Sequence, residues 1–207
     1  FFTIFKGDKN VPEDKESIEI WKKLGIPESQ IKKFGRADNF WGPTGEEGPC
    51  GPTTEIYYGS AGSPQVEIWN LVFNEYYQDK EGKLTSLKQK GVDTGMGLER
   101  LTMAVQQKSS VYETDLFSPL ITDLKSKPER IIADHIKSAV FLISEGILPS
   151  NVERGYVLRR ILRRAIRYGK LLNQVKQFLI PLAQKAVEIY QDVYPELKSR
   201  ETDILTV

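Results

Sequence analysis

The sequence predicts an α+β fold: a partial antiparallel sheet followed by an all-helical segment. Three observations carry this. Residues 1–108 are strand-like and punctuated by Gly and Pro. The turn-forming run Lys80-Glu81-Gly82-Lys83 joins a long β-branched and aromatic stretch at 66–78 to a second stretch at 84–88, which is a hairpin signature. After Gly95 the apolar spacing changes to a helical period.

In chain order, residues 1–5 read as a strand. Residues 12–24 read as an amphipathic helix with Ile18, Trp21 and Leu24 on one face, stopped by Gly25 with Pro27 beyond it. The Gly- and Pro-rich stretch 38–52 reads as a loop. Strands follow at 53–58, 66–78 and 84–88, paired as a meander rather than a βαβ sheet. Asp93-Thr94-Gly95-Met96-Gly97 then reads either as a glycine pair that lets the backbone approach a ligand closely or as a strand-to-helix turn with Asp93 as capping acid. Helices are expected at 96–107, 114–125, 129–145, 153–170, 174–191 and 195–206. Gly146 suits the end of the third of these, and Ser150 or Asn151 the cap of the next. Two domains are expected, 1–108 and 109–207.

Composition excludes several classes of function. The chain has 207 residues, 29 Lys+Arg against 28 Asp+Glu, one Cys and one His. A single Cys50 allows no internal disulfide, which fits a reducing, cytoplasmic setting. Cys50 and His135 alone are too few for a structural zinc site, so no zinc is expected. His135 follows Asp134 on a helix, where neighbours do not face each other, so no dyad is expected. No apolar run approaches the roughly 18 residues of a membrane span, and no membrane partner is expected. The missing initial Met suggests that the chain begins inside a longer protein.

Charge is unevenly spread. Residues 1–108 carry 14 basic and 16 acidic side chains, whereas residues 109–207 carry 15 and 12. Much of the second excess lies in 153–170, with Arg154, Arg159, Arg160, Arg163, Arg164, Arg167 and Lys170 against Glu153 alone. At about 100° per residue, Arg159, Arg160, Arg163, Arg164, Arg167 and Lys170 share one arc. Val157, Leu158, Ile161, Leu162, Ala165 and Ile166 share the other. Such a face suits a phosphate backbone. The alternative is a solvated helix paired with nearby carboxylates, which the segment itself does not supply.

In the strand at 66–78, strict alternation puts Glu67, Trp69, Leu71 and Phe73 on one face and Ile68, Asn70, Val72 and Asn74 on the other. Asn70 between Ile68 and Val72 is then an isolated amide on an apolar face. It is either a satisfied core group or a ligand contact in a small pocket.

These segments, taken in order, resemble the alanine–tRNA ligases, a class II synthetase family. The resemblance rests on Asp38-Asn39-Phe40-Trp41, on Gly48-Pro49-Cys50-Gly51-Pro52 followed by Glu55-Ile56, and on Glu67-Ile68-Trp69-Asn70-Leu71-Val72-Phe73. It continues through Val92-Asp93-Thr94-Gly95-Met96-Gly97-Leu98-Glu99-Arg100-Leu101, Tyr112-Glu113-Thr114-Asp115-Leu116-Phe117 and Ile132-Ala133-Asp134-His135-Ile136-Lys137-Ser138. Leu148-Pro149-Ser150-Asn151 and the basic run from Arg154 to Ala165 complete it.

The resemblance implies activation of alanine with ATP and Mg²⁺ to alanyl-adenylate, then transfer to the 3′ end of its tRNA. Residues 92–101 are similar to the third class II motif, which puts Arg100 on ATP with Gly97 beside it. It further implies that Asp93 holds the alanine ammonium and Trp41 meets its carboxylate. Asn70, Val72 and Gly95 would line a pocket for one methyl. Glu55 and Glu67 are the candidates for the Mg²⁺–phosphate region, the alternative being strand surface charge. In the second domain the resemblance puts Asn151 on the wobble pair of the tRNA acceptor stem. Arg154, Arg159, Arg160, Arg163, Arg164 and Arg167 would lie along its phosphates.

Nothing in the chain resembles the first or second class II motif. It therefore reads as an internal fragment: the later catalytic core and the start of the tRNA-recognition domain. Little or no adenylation by the isolated chain is expected. The alternative function is that of a non-catalytic fragment that binds the acceptor stem.

Overall fold

Phe2–Phe5 forms strand β1, whose Ile4 and Phe5 are completely buried. The computed structural model describes residues 1–59, 65–174 and 177–207. These divide into two compact units, Phe1–Ala104 and Val105–Val207.

In the first unit, helix α1 (Lys15–Lys23) follows β1 and leads to strand β2 (Ile31–Phe34). Asp14 caps α1 by accepting from the Ser17 N–H at 2.9 Å. The helix therefore starts three residues later than its apolar pattern suggests. It ends before Gly25, which takes φ +89°, a left-handed conformation open to glycine. Ile18 is buried, and Trp21 packs on Phe2 and donates to Thr54 Oγ1 at 2.8 Å. Leu24 is 68% exposed, so the packing face is narrower than expected.

β1 and β2 pair in parallel. This corrects the expectation of a purely antiparallel sheet, because a βαβ unit opens the chain. Ile31-Lys32-Lys33-Phe34 is short and lysine-rich. It is an edge strand, where lysines discourage further pairing, and its alternation is too brief to read.

Only residues 42–47 of the expected loop 38–52 are irregular. Helix α2 (Arg36–Asn39), strand β3 (Phe40–Trp41) and the start of β4 (Gly48–Tyr58) lie within or across this stretch. Gly42, Pro43 and Gly45 belong to that irregular segment, whereas Gly51 marks a close approach of strands. A Cβ on Gly51 would stand 1.7 Å from the carbonyl oxygen of Phe73 on the next strand.

Strands β5 (Val66–Gln78) and β6 (Leu84–Met96) complete a sheet of order β2-β1-β4-β5-β6, with β3 also paired to β4. Every pairing except β1–β2 is antiparallel. The β5–β6 turn closes at Asp79, which accepts from the Lys83 N–H at 2.8 Å, with Gly82 at φ +81°. β6 runs on to Met96, beyond the expected end at 88. Asp93, Thr94 and Gly95 are thus strand residues, not a turn, because all three pair with β5. Helix α3 (Leu98–Val105) then buries Met103.

In the second unit, α4 (Lys127–Ser144) is the central helix. Ser126 caps it, while Glu129 Oε2 accepts from the N–H groups of Thr122 and Asp123 and the hydroxyl of Thr122. The expected helix at 114–125 is absent. Single 3₁₀ turns at Val111–Glu113 and Ser118–Leu120 replace it. Pro119 has no N–H to continue a ladder, yet Phe117, Leu120 and Ile121 still reach the core.

Helices α5 (Glu153–Leu171), α6 (Leu179–Tyr190), α7 (Pro195–Ser199) and α8 (Glu201–Thr206) follow. The expected helix 174–191 begins at Leu179, and residues 175–176 of it lie outside the described residues. The expected helix 195–206 breaks at Arg200, whose guanidinium donates to the Ser144 carbonyl. The core gathers Ile132, Ile136, Val140 and Ile143 of α4 with Leu158, Val187, Leu197 and Ile204.

Candidate active site and nucleic-acid interface

Register alone assembles the first site. Thr53 of β4 pairs with Val72 of β5, which pairs with Asp93 of β6. One step on, Glu55 pairs with Asn70, which pairs with Gly95. Paired residues share a face, and residues two apart along a strand share it too. Thr53, Glu55, Asn70, Val72, Asp93 and Gly95 therefore form two cross-strand rows on one side of the sheet. Ile56, Trp69 and Met96 form a row on the other.

Glu55 lies beneath this face and is 3% exposed. Its two oxygens accept from Thr3 Oγ1 at 3.3 Å, Thr53 Oγ1 at 3.3 Å, Tyr57 Oη at 2.9 Å and Asn70 Nδ2 at 3.2 Å. Asn39 Nδ2 supports the network by donating to Thr3 Oγ1 at 2.8 Å. Burial pushes the Glu55 carboxyl above its usual range against the hydrogen bonds from Tyr57, Thr3 and Thr53, and the nearby Glu67 adds to the rise. Burial and the Glu55 charge push the Tyr57 phenol strongly upward, so it stays a donor.

Asn70 spends its NH₂ on Glu55, and its Oδ1 is buried without a partner among the described residues. Val72 is buried beside it. Across the strand, Gly95 is open: a Cβ there would meet nothing within 4 Å. Asp93 is exposed. An acceptor amide, a carboxylate, an apolar floor and an open glycine can together receive a small cationic group carrying a short apolar branch.

Glu67 also belongs to this face, contrary to strict alternation. Ile56 pairs with Trp69 but Tyr57 pairs with Glu67, so Ile68 is an extra, bulged residue. The bulge reverses the side on which Glu67 emerges. The Arg100 guanidinium donates to the Glu67 carbonyl at 2.9 Å and stands 3.8 Å from its carboxylate. Gly97 makes this possible, since its missing Cβ would lie 3.2 Å from Arg100 Cδ. Trp41 sits on β3 opposite Gly51, two residues along β4 from Thr53, and is 37% exposed. Among the described residues no group of three or more His, Cys, Asp or Glu could hold a metal ion.

The second candidate surface is α5. Leu158, Ala165 and Gly169 are buried, while Arg154, Arg159, Arg160, Arg163, Arg164 and Arg167 are all exposed. Among the described residues none of these arginines forms an ion pair with a carboxylate, so their charge is uncompensated. The packing stripe is narrower than expected: Val157 is 53% and Ile166 42% exposed. Ile166 instead lines a cavity of about 700 Å³ between α4, α5, α6 and α8.

Asn151 is not a cap. The capping position is Val152, with no side-chain bond, and Ser150 Oγ bonds the Val152 backbone instead. Gly155 lets the 148–150 segment lie on the helix, since a Cβ would be 2.3 Å from Ser150 Oγ. Asn151 Oδ1 accepts from the Arg159 guanidinium, which leaves its NH₂ free to donate outward.

The model of the tRNA synthetases class II (A) family matches residues 1–207. The chain belongs to that family. It is 42% identical, over 93% of its length, to an alanine–tRNA ligase of Dehalococcoides mccartyi, of which it covers 25%. It is 48% identical, over 89% of its length, to that of Thermotoga maritima, again covering 25%. It is 41% identical, over 97% of its length, to that of Borrelia hermsii, covering 39%. The chain thus spans a quarter to two fifths of these curated relatives.

In this class II synthetase chain, Asn70, Val72, Asp93 and Gly95 fall on one sheet face with Glu55, and Arg100 meets Glu67. Three features escaped sequence reasoning. The Thr3–Asn39–Thr53–Tyr57 support of Glu55 needs residues from three separate segments. The Asn151–Arg159 bond joins a loop to the second turn of a helix. His135 Nδ1 does contact Asp134 Oδ2, at 2.8 Å, so the expectation that the two do not face each other is corrected. Cys50 is completely buried, and burial raises its thiol pKa, so it is an inert core group. No helix among the described residues is long and apolar enough to cross a membrane.

Proposed function

We propose that the chain is the later catalytic core and the beginning of the tRNA-recognition region of an alanine–tRNA ligase. The observation that carries this is the row Glu55–Asn70–Gly95 beside Thr53–Val72–Asp93. On this reading Asp93 and Asn70 Oδ1 accept from the substrate ammonium, charge-assisted on the Asp93 side. Val72 and the open space over Gly95 take the methyl, and Trp41 borders the carboxylate end.

In the first reaction a substrate carboxylate oxygen attacks the α-phosphorus of ATP and pyrophosphate leaves. Arg100, tied to the Glu67 carbonyl, supplies a fixed positive charge for the nucleotide. The ribose hydroxyl of the tRNA end then attacks the adenylate carbonyl, and AMP leaves. Neither step needs a protein nucleophile, so the inert Cys50 is no obstacle. Glu67, half-exposed, fits a largely hydrated Mg²⁺ that takes one protein carboxylate. Glu55 fits poorly, because four donors already occupy its oxygens. The metal would neutralise phosphate charge. A pocket for one methyl separates alanine from glycine by only ~1–3 kcal/mol.

In the second unit, α5 offers its arginine face to acceptor-stem phosphates. Asn151, with Oδ1 held by Arg159, offers its NH₂ to an acceptor in the minor groove at the wobble pair. The uncompensated arginines also favour the narrower reading, an RNA-binding fragment without catalysis.

Calorimetric titration of the chain with L-alanine tests the first half of the reading. Saturable binding of alanine, with weaker binding of L-lactate, supports it; equal binding of both refutes it. Hairpins of the acceptor stem with a G·U or a G·C pair test the second half. Equal affinity for the two removes the role of Asn151.

A further inference from the structure

Asn70 carries an orphan. Its Nδ2 donates to Glu55, while its Oδ1 is buried with no partner among the described residues. A buried carbonyl without a donor is destabilising, and carboxamides can usually escape by turning over, since oxygen and nitrogen exchange places. Here the turn is blocked. Glu55 is 3% exposed, and Thr3, Thr53 and Tyr57 donate to its oxygens together with Asn70. An ionised carboxylate only accepts. If Asn70 turned over, its Oδ1 would face that carboxylate, oxygen to oxygen.

We propose that Glu55 is a positioning residue of the amino-acid site. It fixes the Asn70 carboxamide with the NH₂ inward, so that only Oδ1 remains for the substrate. The unpaired acceptor is then satisfied by an ammonium and by nothing that merely accepts. Glu55 thus favours a strong donor without touching it: an ammonium gives Oδ1 a charge-assisted bond, whereas an isosteric hydroxyl gives only a weaker neutral one. The inference rests on the alanine-site reading above.

A carboxylate-to-amide exchange tests it. Glu55→Gln keeps the volume and removes the charge. The new amide nitrogen can donate to Asn70, which then turns its NH₂ towards the site. L-Alanine affinity is expected to fall about tenfold or more, as for loss of a charge-assisted contact. L-Lactate affinity is expected to hold, because its hydroxyl can donate to Oδ1 in the parent and accept from the turned NH₂ in the variant. A purely structural role would weaken both ligands by the same factor, and that result overturns the proposal.

The decisive protein is the double variant Glu55→Gln with Asn70→Asp. It restores an inward donor–acceptor pair of reversed polarity and returns an acceptor oxygen to the site. Alanine affinity should recover to within about threefold of the parent. If the double variant is no better than Glu55→Gln, the proposal is wrong.

Should the parent chain bind neither ligand, the alanine-site reading falls, and the clamp is judged by hydrogen exchange at the Asn70 side-chain amide. Slow exchange in the parent and fast exchange in Glu55→Gln support the clamp. Fast exchange in the parent overturns it.

Discussion

Gly95→Ala should make the protein more stable and its amino-acid site worse. Gly95 pairs with Asn70 in regular extended backbone, and a Cβ there would meet no heavy atom within 4 Å. Alanine can therefore take the same conformation without strain. It also narrows the unfolded ensemble, worth about 0.4–1 kcal/mol in favour of folding. The added methyl projects on the face shared by Asn70 and Glu55, where the substrate methyl is proposed to sit. Crowding a site by one carbon costs about 1–3 kcal/mol, which is roughly a 5- to 150-fold loss of affinity. Urea denaturation reads the first effect and alanine calorimetry the second. Opposite signs are required. Destabilisation beyond about 1 kcal/mol would mean that the face is packed rather than open. Unchanged alanine affinity would mean that the ligand does not lie over Gly95.

Gly51→Ala is the contrasting case: a Cβ 1.7 Å from the Phe73 carbonyl oxygen forces β4 from β5, and a loss of about 3 kcal/mol or more is expected in urea denaturation. Glu129→Gln should cost about 0.5–1.5 kcal/mol at neutral pH. Burial disfavours the Glu129 charge, but the donors at Asp123 and Thr122 outweigh it and hold the carboxyl below its usual range. Its contribution is therefore complete above the unfolded carboxyl pKa and lost as pH falls through the lower folded value. Thermal melts of parent and variant should converge in acid, and a constant gap refutes the assignment. Arg160→Gln and Arg163→Gln should each weaken acceptor-stem RNA and flatten the salt dependence by about 0.9 in log–log slope. Weakening with no change in slope would mean that these side chains do not meet phosphates.

The pattern of elements was legible where local chemistry decides it. Gly25 and Gly146 end their helices at φ +89° and +80° as their positions suggest. The hairpin at Lys80–Lys83 closes as its residues demand. What failed was what only tertiary contact settles. Ile31–Phe34 is a strand because β1 offers an edge, not because four residues alternate. Residues 48–52 are a strand because Phe73 needs a partner that can come close, which only glycine permits at position 51. Pro119 and a hydroxyl–carbonyl bond from Thr114 to Val111 hold 111–120 in single turns, although its apolar residues have helical spacing. The resemblance supplied the candidate residues, and strict alternation put Asn70 and Val72 on one face, as the pairing does. One bulge at Ile68 then moved Glu67 across the sheet, and no periodicity in a single strand reveals a bulge in its pairing.

The near-zero net charge conceals two electrostatic environments of opposite use. On the sheet, Glu55, Glu67 and Asp93 gather on one face, with Arg100 held to Glu67 by its carbonyl. Such a face is suited to an ammonium and a hydrated cation, short-range partners that salt screens weakly once they are enclosed. On α5, six exposed arginines form no ion pair with a carboxylate among the described residues, so they repel one another and would gain from a polyanion. That interaction is long-range and strongly screened. Salt should therefore separate the two proposed functions. Raising ionic strength from about 0.05 to 0.2 M should cost the RNA face several phosphate contacts' worth of affinity, while alanine binding over Val72 changes little. Equal salt sensitivity at both surfaces would mean that the ammonium site is held by exposed surface charge, and that the buried acceptor on Asn70 has no part in it.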